Sequence, residues 1–285
     1  MQETQPNSIR VRLTGLNDLA PDSLSGDDFR AWLTAPIVGE PLYKRILSVL
    51  LPLSIQELVL EPGPVSDAVL TLFEQRPIYN LRARMAPSAR AASPEHTATL
   101  VVPVGGLLEA DLLGLQRRGE QTNRIERTPV HLPGQTTRPK PEIIYLPPGR
   151  KQSEIDVNEP PSDPCSQVPP IMRPTDTSVY LRELALRTLE GDLASLSPAG
   201  EMRGGILCGP DAQVAEGVRV VGNVAIGARS QTATGCVLGP GAVVGEDCVL
   251  EANSHVIHSI VLDGCRVPAG ERLLGVIRLP SGETL

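Results

Sequence analysis

The sequence predicts an α/β domain with a mainly parallel sheet, followed by a left-handed parallel β-helix. Three observations support this order: strand and helix patterns alternate over residues 9–150, a six-residue hydrophobic period begins at residue 208, and no aromatic residue follows Tyr180. The expected boundaries are an α/β domain over 1–175, a connecting helix over 176–200 and a β-helix over 201–285.

Length and charge limit the class of protein. The chain has 285 residues, which is enough for one large domain or two of ordinary size. Its net charge of −7 gives no electrostatic basis for binding nucleic acid or an anionic membrane. The N-terminus lacks the basic and then apolar layout of a signal peptide, and no apolar run approaches the ~20 residues of a membrane helix. We therefore expect a cytoplasmic protein without nucleic-acid or membrane partners.

The first half alternates between two hydrophobic periods. Alternating or continuous apolar runs predict strands at residues 9–13, 56–60, 79–85, 97–104 and 142–146, and helical spacing predicts helices at residues 42–51, 65–75 and 109–118. This alternation implies a mainly parallel sheet with helices on both faces. The stretches 86–96 and 119–175 are rich in Pro, Ser, Thr and charge, and we expect them to run over the surface as long loops.

A single amphipathic helix is predicted to join the two domains. Residues 177–196 place one apolar stripe at helical spacing, formed by Val179, Leu181, Leu184, Ala185, Thr188 and Leu189. Gly191 follows this stripe and is expected to end the helix.

The last eighty residues repeat with a period of six. From Cys208 onward one register is mostly aliphatic, and its members are Cys208, Val214, Val220, Ile226, Thr232, Leu238, Val244, Leu250, Val256, Leu262 and Pro268. The residue four positions after each of these is usually small or β-branched. The residue directly after each member of the aliphatic register is often Gly or Ala. A six-residue period predicts a triangular coil whose sides each place one aliphatic residue inside, so that stacked coils bury a continuous core. Small aliphatic residues fill such a core without aromatic rings.

The cysteines fit the same pattern. Five cysteines, an odd number at wide spacing without a CxxC pair, argue against a disulfide framework or a zinc site. Cys208, Cys236 and Cys248 occupy repeat positions and are expected to point inward. Cys265 lies off those positions and is expected on the surface.

Five segments carry a resemblance to a known family. They read APIVGEPLYKRIL at residues 35–47, SIQELVL at 54–60, TLVVPVGG at 99–106, RPTDTSVYL at 173–181 and NSHVIHSIVLDG at 253–264. Together with the order of domains, they resemble the sugar-phosphate (NDP-sugar) nucleotidyltransferases of the mannose-1-phosphate guanylyltransferase and glucose-1-phosphate adenylyltransferase type. The resemblance implies a Rossmann-like first domain and oligomer formation, with itself or another chain, through the β-helix.

The departures from this family fall on its catalytic motifs. The family's glycine-rich phosphate loop corresponds to a stretch with one glycine, Gly15, and no arginine. Its two metal-binding aspartates correspond to Gly106, which follows Gly105, and to Arg173. The resemblance therefore implies a vestigial pocket at these four residues, with no metal and no cofactor. The leading hypothesis is a non-catalytic homologue that serves as a scaffold, a regulatory subunit or a sensor of a nucleotide or NDP-sugar.

Two enzyme alternatives stay open. An active NDP-sugar pyrophosphorylase would need Mg²⁺, and its acidic ligands would come from Asp18, Asp111 or Asp176. A hexapeptide-repeat acyltransferase would use His255 or His258 as a general base. The sequence contains no long insertion in the repeat that would enclose a pantetheine.

Overall fold

The computed structural model describes residues 8–24, 26–38, 40–75, 83–86, 96–132, 141–155, 171–192 and 202–285. The chain divides into two compact units, of which the first contains residues 8–19 and 46–174. The second unit contains Ala20–Arg45 and Thr175–Leu285, so an early segment of the chain belongs with the C-terminal half. Cys165, most of the predicted loop at 86–96 and the end of the predicted connecting helix lie outside the described residues.

Helices and strands alternate in the first 192 residues. The described elements are, in chain order, β1 (Ile9–Thr14), α1 (Gly26–Leu33), β2 (Pro36–Ile37), β3 (Glu40–Pro41), α2 (Leu42–Leu47), β4 (Ile55–Leu60), α3 (Pro64–Gln75), β5 (Ala83–Met85), β6 (Thr99–Pro103), β7 (Gly106–Glu109), α4 (Leu112–Thr122), β8 (Glu126–Pro129), β9 (Glu142–Leu146), β10 (Ile171–Pro174) and α5 (Ser178–Glu190). α5 lies within the stretch that was predicted as the connecting helix, and Gly191 ends it with a φ of 76°.

Five of these strands, β2, β3, β7, β8 and β10, were not predicted from the sequence. β8 and β10 lie within 119–175, which was predicted as a loop. β7 occupies the start of a predicted helix, because it pairs with β10 in an antiparallel ribbon. α4 begins after it at Leu112 and runs on to Thr122. Neither β7 nor β10 has a strong apolar pattern of its own, and the two stabilise each other across about sixty residues of sequence.

The first unit is built on a mixed six-stranded sheet. Its strand order is β5-β4-β1-β6-β9-β8. β1 is parallel to both of its neighbours, and β5 is parallel to β4. β9 is antiparallel to both β6 and β8. All five residues of β6 are buried, as expected for a strand near the centre of a sheet that is covered on both faces.

α4 packs closely against β9 of this sheet. Asp111 caps the helix by accepting a hydrogen bond from the Gly114 amide at 2.8 Å. One turn from the other end, Gly119 lies directly against the ring of Tyr145. Burial, with a smaller contribution from Glu120, raises the pKa of Tyr145 to about 12. The helix can approach the sheet this closely because Gly119 has no side chain.

The C-terminal half consists of very short strands. They are β11 (Met202–Arg203), β12 (Ile206–Cys208), β13 (Gln213–Val214), β14 (Arg219–Val220), β15 (Val224–Ile226), β16 (Gln231–Thr232), β17 (Val237–Gly239), β18 (Val243–Val244), β19 (Val249–Leu250), β20 (His255–Ile257), β21 (Ile260–Val261), β22 (Arg266–Val267), β23 (Arg272–Leu274) and β24 (Ile277–Arg278). Among these described strands, β11 and β12 form an antiparallel pair, and the other pairs are parallel.

These strands form three parallel sheets, which we call sides 1, 2 and 3. Side 1 has the order β11-β12-β15-β18-β21-β24, side 2 has β13-β16-β19-β22, and side 3 has β14-β17-β20-β23. The chain visits the three sides in turn, so that each complete turn adds one strand to each side. This arrangement is consistent with a β-helix.

The six-residue register is interrupted once. Paired strands are 18 residues apart up to β20, as in Val220 with Leu238 and Leu238 with Val256. Beyond β20 the offset is 17, because the corner between Ile257 and Ile260 is one residue shorter than its counterpart in the preceding coil. The inward positions therefore pass to Val261, Val267 and Leu273, and the prediction of an uninterrupted register was wrong.

The register shift corrects the prediction for Cys265. This residue stands 17 positions after Cys248 and takes the equivalent place in the next coil, where it is 2 % exposed. Cys236 and Cys248 are fully buried as predicted, whereas Cys208 is exposed. Cys208 occupies an inward position in the first coil. It is exposed there because, within the described residues, no earlier coil packs over it.

The coil is closed at its C-terminal end and open at its start. Backbone hydrogen bonds in both directions join Ile277 and Leu285, so that the last residues fold back over the final coil. At the start, Val214 is 39 % exposed although its equivalents Thr232 and Leu250 are buried. No helix within the described residues is both long and apolar enough to cross a bilayer.

Thiol reactivity provides a test of the shifted register. Burial raises the pKa of both Cys248 and Cys265 to about 12, so these thiols stay protonated at pH 8, where the thiolate is the reactive form. In a Cys165→Ser variant we expect iodoacetamide at pH 8 to alkylate Cys208 in the native state, and the other three cysteines only after unfolding. Mass spectrometry of the labelled peptides provides the measurement. Labelling of Cys265 as fast as Cys208 would contradict the register.

Candidate functional site

The carboxyl end of β1 is the natural place for a site in the first unit. β1 lies between β4, which follows it in the chain, and β6, which comes later. The direction of strand addition therefore reverses at β1, and ligands of open α/β sheets bind in the crevice that such a reversal leaves beyond the strand ends. We call the residues that follow β1 and β6 here, Gly15–Asp18 and Val104–Gly105, the switch crevice.

Gly15, Gly105 and Asp18 are in contact in the switch crevice. The Val104 amide donates to Thr14 O at 2.8 Å and the Asp18 amide donates to Gly15 O at 3.0 Å, which fixes both loops. A Cβ added at Gly105 would lie 3.2 Å from Asp18 Cβ and 3.4 Å from both Asp18 Oδ2 and Gly15 O. Gly15 has a φ of 72°, a conformation that other residues rarely adopt. The glycines therefore allow two backbones to meet, and the carboxylate of Asp18 lies beside them.

A second charged group lies near this edge of the sheet. Arg12, near the end of β1, is 5 % exposed, and its guanidinium donates to Glu61 Oε1 at 3.3 Å. Glu61 directly follows β4. The positive charge that β1 brings to this edge is thus already matched by a carboxylate of the neighbouring strand.

Gly106 and Arg173 are brought together on paired strands. In the ribbon of β7 and β10, Gly106 pairs with Pro174 and Leu107 pairs with Arg173. Arg173 Nε donates to Glu109 Oε1 at 3.1 Å across the ribbon. The resemblance implied one vestigial pocket for Gly106 and Arg173. The ribbon makes them neighbours, and the pocket stays a prediction. Glu109 was not expected from the sequence, because only the pairing of β7 with β10 places this acid diagonally opposite Arg173.

The acidic residues of the first enzyme alternative have different surroundings. Asp18 lies in the switch crevice, whereas Asp111 is engaged as the N-cap of α4. Asp176 belongs to the second unit, and its buried Oδ1 has no hydrogen-bond partner within the described part of the chain. Within those residues no group of three or more His, Cys, Asp or Glu side chains is arranged to hold a metal ion.

The two histidines of the acyltransferase alternative lie on side 3 and at its corner. His255 belongs to β20, where it pairs with Val237 and Arg272 of the adjacent coils. His258 is exposed at the following corner with a φ of 47°. Neither imidazole has a hydrogen-bond or ion-pair partner among the described residues that could orient it as a base.

A shallow depression on the β-helix involves none of these residues. It has a volume of ≈ 450 Å³ and lies over side 2, where it is lined by Gln213, Val214, Ala215, Gln231, Thr232, Ala233, Val249, Leu250, Glu251 and Ala252. Its lining has no convergent set of titratable groups, so we give it no chemical role.

Comparison with known proteins gives a distant and partial match. No protein-family model matches the chain. A probable mannose-1-phosphate guanyltransferase of Schizosaccharomyces pombe is 32% identical over 92 residues. The matched segment covers 32% of this chain and 22% of that protein. The similarity points to the sugar nucleotidyltransferases, as the sequence motifs do, although it spans less than a third of either chain.

Proposed function

We propose that this protein is a non-catalytic relative of the sugar nucleotidyltransferases that acts as a scaffold or regulatory subunit. The observation that supports this most directly is the position of Asp18 against Gly15 and Gly105 in the switch crevice. A nucleoside triphosphate brings several negative charges, and phosphate sites in α/β proteins offer backbone amides or cations instead of a carboxylate. The side chain of Asp18 offers neither a cation nor an amide to such a ligand.

The residues at the expected metal site do not suit Mg²⁺. Magnesium takes oxygen ligands, usually carboxylates. The resemblance puts the two metal ligands at Gly106, which has no side chain, and at Arg173, which is a cation bound to Glu109. Asp111, the nearest acid in sequence to Glu109, is used to cap α4. These residues therefore do not form a carboxylate ligand set for a catalytic metal ion.

The β-helix supports an assembly role. The guanyltransferase that matches this chain is named for an activity, and only 22% of its length is matched here. The described residues include a stack of parallel coils whose C-terminal end is closed and whose side 3 carries exposed residues. Stacked coils present extended, rigid surfaces, which are suited to holding other proteins.

A turnover assay tests the loss of catalysis. The purified full chain is incubated with Mg²⁺, each of the four NTPs and a panel of sugar 1-phosphates that includes mannose 1-phosphate, and pyrophosphate release is measured. We expect no release above the protein-free control, because the two positions that the resemblance assigns to the metal ligands, Gly106 and Arg173, carry no carboxylate, and Asp18 lies beside the glycines of the switch crevice. An active guanylyltransferase assayed in parallel verifies the detection.

An Asp18→Asn variant separates true turnover from contamination. Mg²⁺-dependent release by the wild type that disappears in this variant would overturn the proposal and favour an active pyrophosphorylase. Thermal unfolding of the wild type with each nucleotide and NDP-sugar provides a second measurement. Stabilisation without turnover would identify a sensor, whereas no shift with any ligand supports the scaffold role.

A further inference from the structure

Side 3 of the β-helix presents two outward columns of different chemistry. Paired residues of its four strands form one column of Arg219, Val237, His255 and Arg272, in which both arginines are exposed. The second column contains Gly239, Ile257 and Leu274, and Val221 lies beside Gly239 in the preceding coil. Val221 is 42% exposed and Leu274 is 58% exposed. A cationic column therefore runs beside an apolar one along the axis of the coil.

The charge of side 3 is opposite to that of the whole chain. The chain carries a net charge of −7, yet residues 217–223, 235–241, 253–258 and 270–275 of side 3 contain one carboxylate, that of Glu271. In the corners that lead into this side, Glu251 is paired with Arg266, and Glu216 precedes Arg219 by three residues. Glu271 is engaged with the buried Arg278 of the last coil. Neither Arg219 nor Arg272 has an acidic partner within the described residues. Side 3 thus carries positive charge that the rest of the described coil does not neutralise.

Gly239 lies between two larger members of the apolar column. A Cβ at this position would lie 3.5 Å from Ile257 Cγ1 and 3.8 Å from Val221 Cβ, which is ordinary van der Waals contact. Gly239 itself is buried. The apolar surface that a partner can reach is therefore formed by Val221, Ile257 and Leu274.

The other two sides differ in how they are covered. The outward residues of side 1, Ala225, Val243, Ile260 and Ile277, are all buried. Side 1 packs against β2, which also contacts α5. The outward column of side 2 is Gln213, Gln231, Val249 and Arg266, and Arg266 is paired with Glu251. Side 3 differs from both, because its exposed residues combine Arg219 and Arg272, which have no acidic partner within the described residues, with an aliphatic column.

Helix α5 shows the geometry in which a helix fits this coil. The Asn223 side chain donates to Leu189 O at 3.3 Å. A Cβ added at Gly241 would lie 2.8 Å from Leu186 Cδ1. A Cβ added at Gly275 would lie 3.1 Å from Arg182 Nη1. α5 therefore crosses successive coils along the axis. Coils are ~4.8 Å apart and a helix rises ~1.5 Å per residue, so each coil meets roughly every third helical residue.

We propose that side 3 docks an amphipathic α-helix of a partner protein, which places an apolar stripe on Val221, Ile257 and Leu274 and acidic residues beside Arg219 and Arg272. The four coils span ~14 Å along the axis, which corresponds to about ten helical residues. A second copy of this chain docking through the same side would bring two further arginines against Arg219 and Arg272, so charge complementarity favours an acidic partner. The proposal deepens the scaffold role, on which it rests, by naming the partner's chemistry.

A synthetic peptide provides the probe. It is a 16-residue amphipathic helix with Leu on one stripe and Glu along one edge of that stripe, labelled for fluorescence anisotropy, and its control has Lys in place of each Glu. The purified full chain is expected to bind the Glu peptide and to bind the Lys peptide at least about tenfold more weakly. An Arg219→Glu/Arg272→Glu variant should reverse this preference.

The matched control lies on side 2. Arg266→Glu makes the same charge change on a different side, and it should leave the anisotropy curve unchanged. Circular dichroism and thermal unfolding verify that each variant is folded.

The proposal is overturned if the Glu peptide does not bind, if it binds the Arg219→Glu/Arg272→Glu variant as well as the wild type, or if Arg266→Glu has the same effect. It is also overturned if sedimentation shows a dimer that Leu274→Asp dissociates, since side 3 would then join two copies. The turnover assay is independent of these outcomes, so each proposal can fail alone.

Discussion

We expect the Gly227→Ala variant to lose roughly 3 kcal/mol of unfolding free energy, a large effect for the addition of one methyl group. Gly227 follows β15 at a corner where the next coil passes directly above it. A Cβ at this position would overlap the carbonyl group of Gly245 and lie 2.7 Å from the Glu246 amide nitrogen. Both groups belong to the backbone, which cannot move aside as the end of a side chain can.

The same contact recurs in the neighbouring coils. A Cβ at Gly209 would lie 2.5 Å from the amide nitrogen of Ala228, and one at Gly245 would lie 2.7 Å from that of Asp263. The three glycines form a column in which each coil rests on the one below. Because each coil is stabilised by its neighbours, a displacement at Gly227 weakens the packing of the coils on both sides.

Gly239→Ala is the matched control for this prediction. It makes the same substitution in the adjacent side, but its added methyl group would be in ordinary contact at 3.5 Å from Ile257 Cγ1. We expect a change within about 0.5 kcal/mol. Chemical denaturation followed by circular dichroism gives both values. Equal destabilisation of the two variants would show that the corner contact is not the cause.

We expect Gly119→Ala to destabilise the first unit by about 2 kcal/mol, although alanine is the better helix former by ~1 kcal/mol. The added Cβ would fall within the van der Waals radii of Tyr145 Cγ, Cδ1 and Cε1. Tyr145 is 1 % exposed on β9, so its ring has no free space into which to move. α4 would have to shift away from the sheet.

A double-mutant cycle tests this cause. Tyr145→Leu removes the ring, and in that background we expect Gly119→Ala to cost less than in the wild type. Tyr145→Phe keeps the ring, and the full cost should remain. Unfolding free energies of the four variants, measured by denaturant titration, supply the comparison. A Gly119→Ala cost that is the same in the Tyr145→Leu background would exclude the ring contact as its origin.

The candidate site was predictable from the sequence only in part. Gly15, Gly105, Gly106 and Arg173 were identified from motifs, and the structure places the first two in contact and the last two on paired strands. The bond of Arg173 with Glu109 was not predictable, since β7 and β10 have weak strand patterns and meet only because they pair with each other. The role of Asp111 as a helix cap was likewise decided by where α4 begins.

The sequence by itself determined the repeating architecture of the C-terminal half. A six-residue period of aliphatic and small residues can be satisfied only if successive short strands turn in the same sense and stack, because each coil repeats the same local environment. For the same reason it identified Cys236 and Cys248 as buried. It could not locate the corner of reduced length between Ile257 and Ile260, because a coil of 17 residues and one of 18 place aliphatic residues within one position of each other.

The tertiary structure decided whatever depends on contacts between distant parts of the chain. Residues 20–45 belong to the same unit as the β-helix, although in the sequence they come between β1 and β4 of the first sheet. Side 1 is covered while Arg219, Arg272 and Leu274 of side 3 stay exposed, although their sequence patterns are alike. A local pattern specifies which residues turn inward and which turn outward. Whether an outward side is covered depends on which other segment packs against it, and no local period encodes that choice.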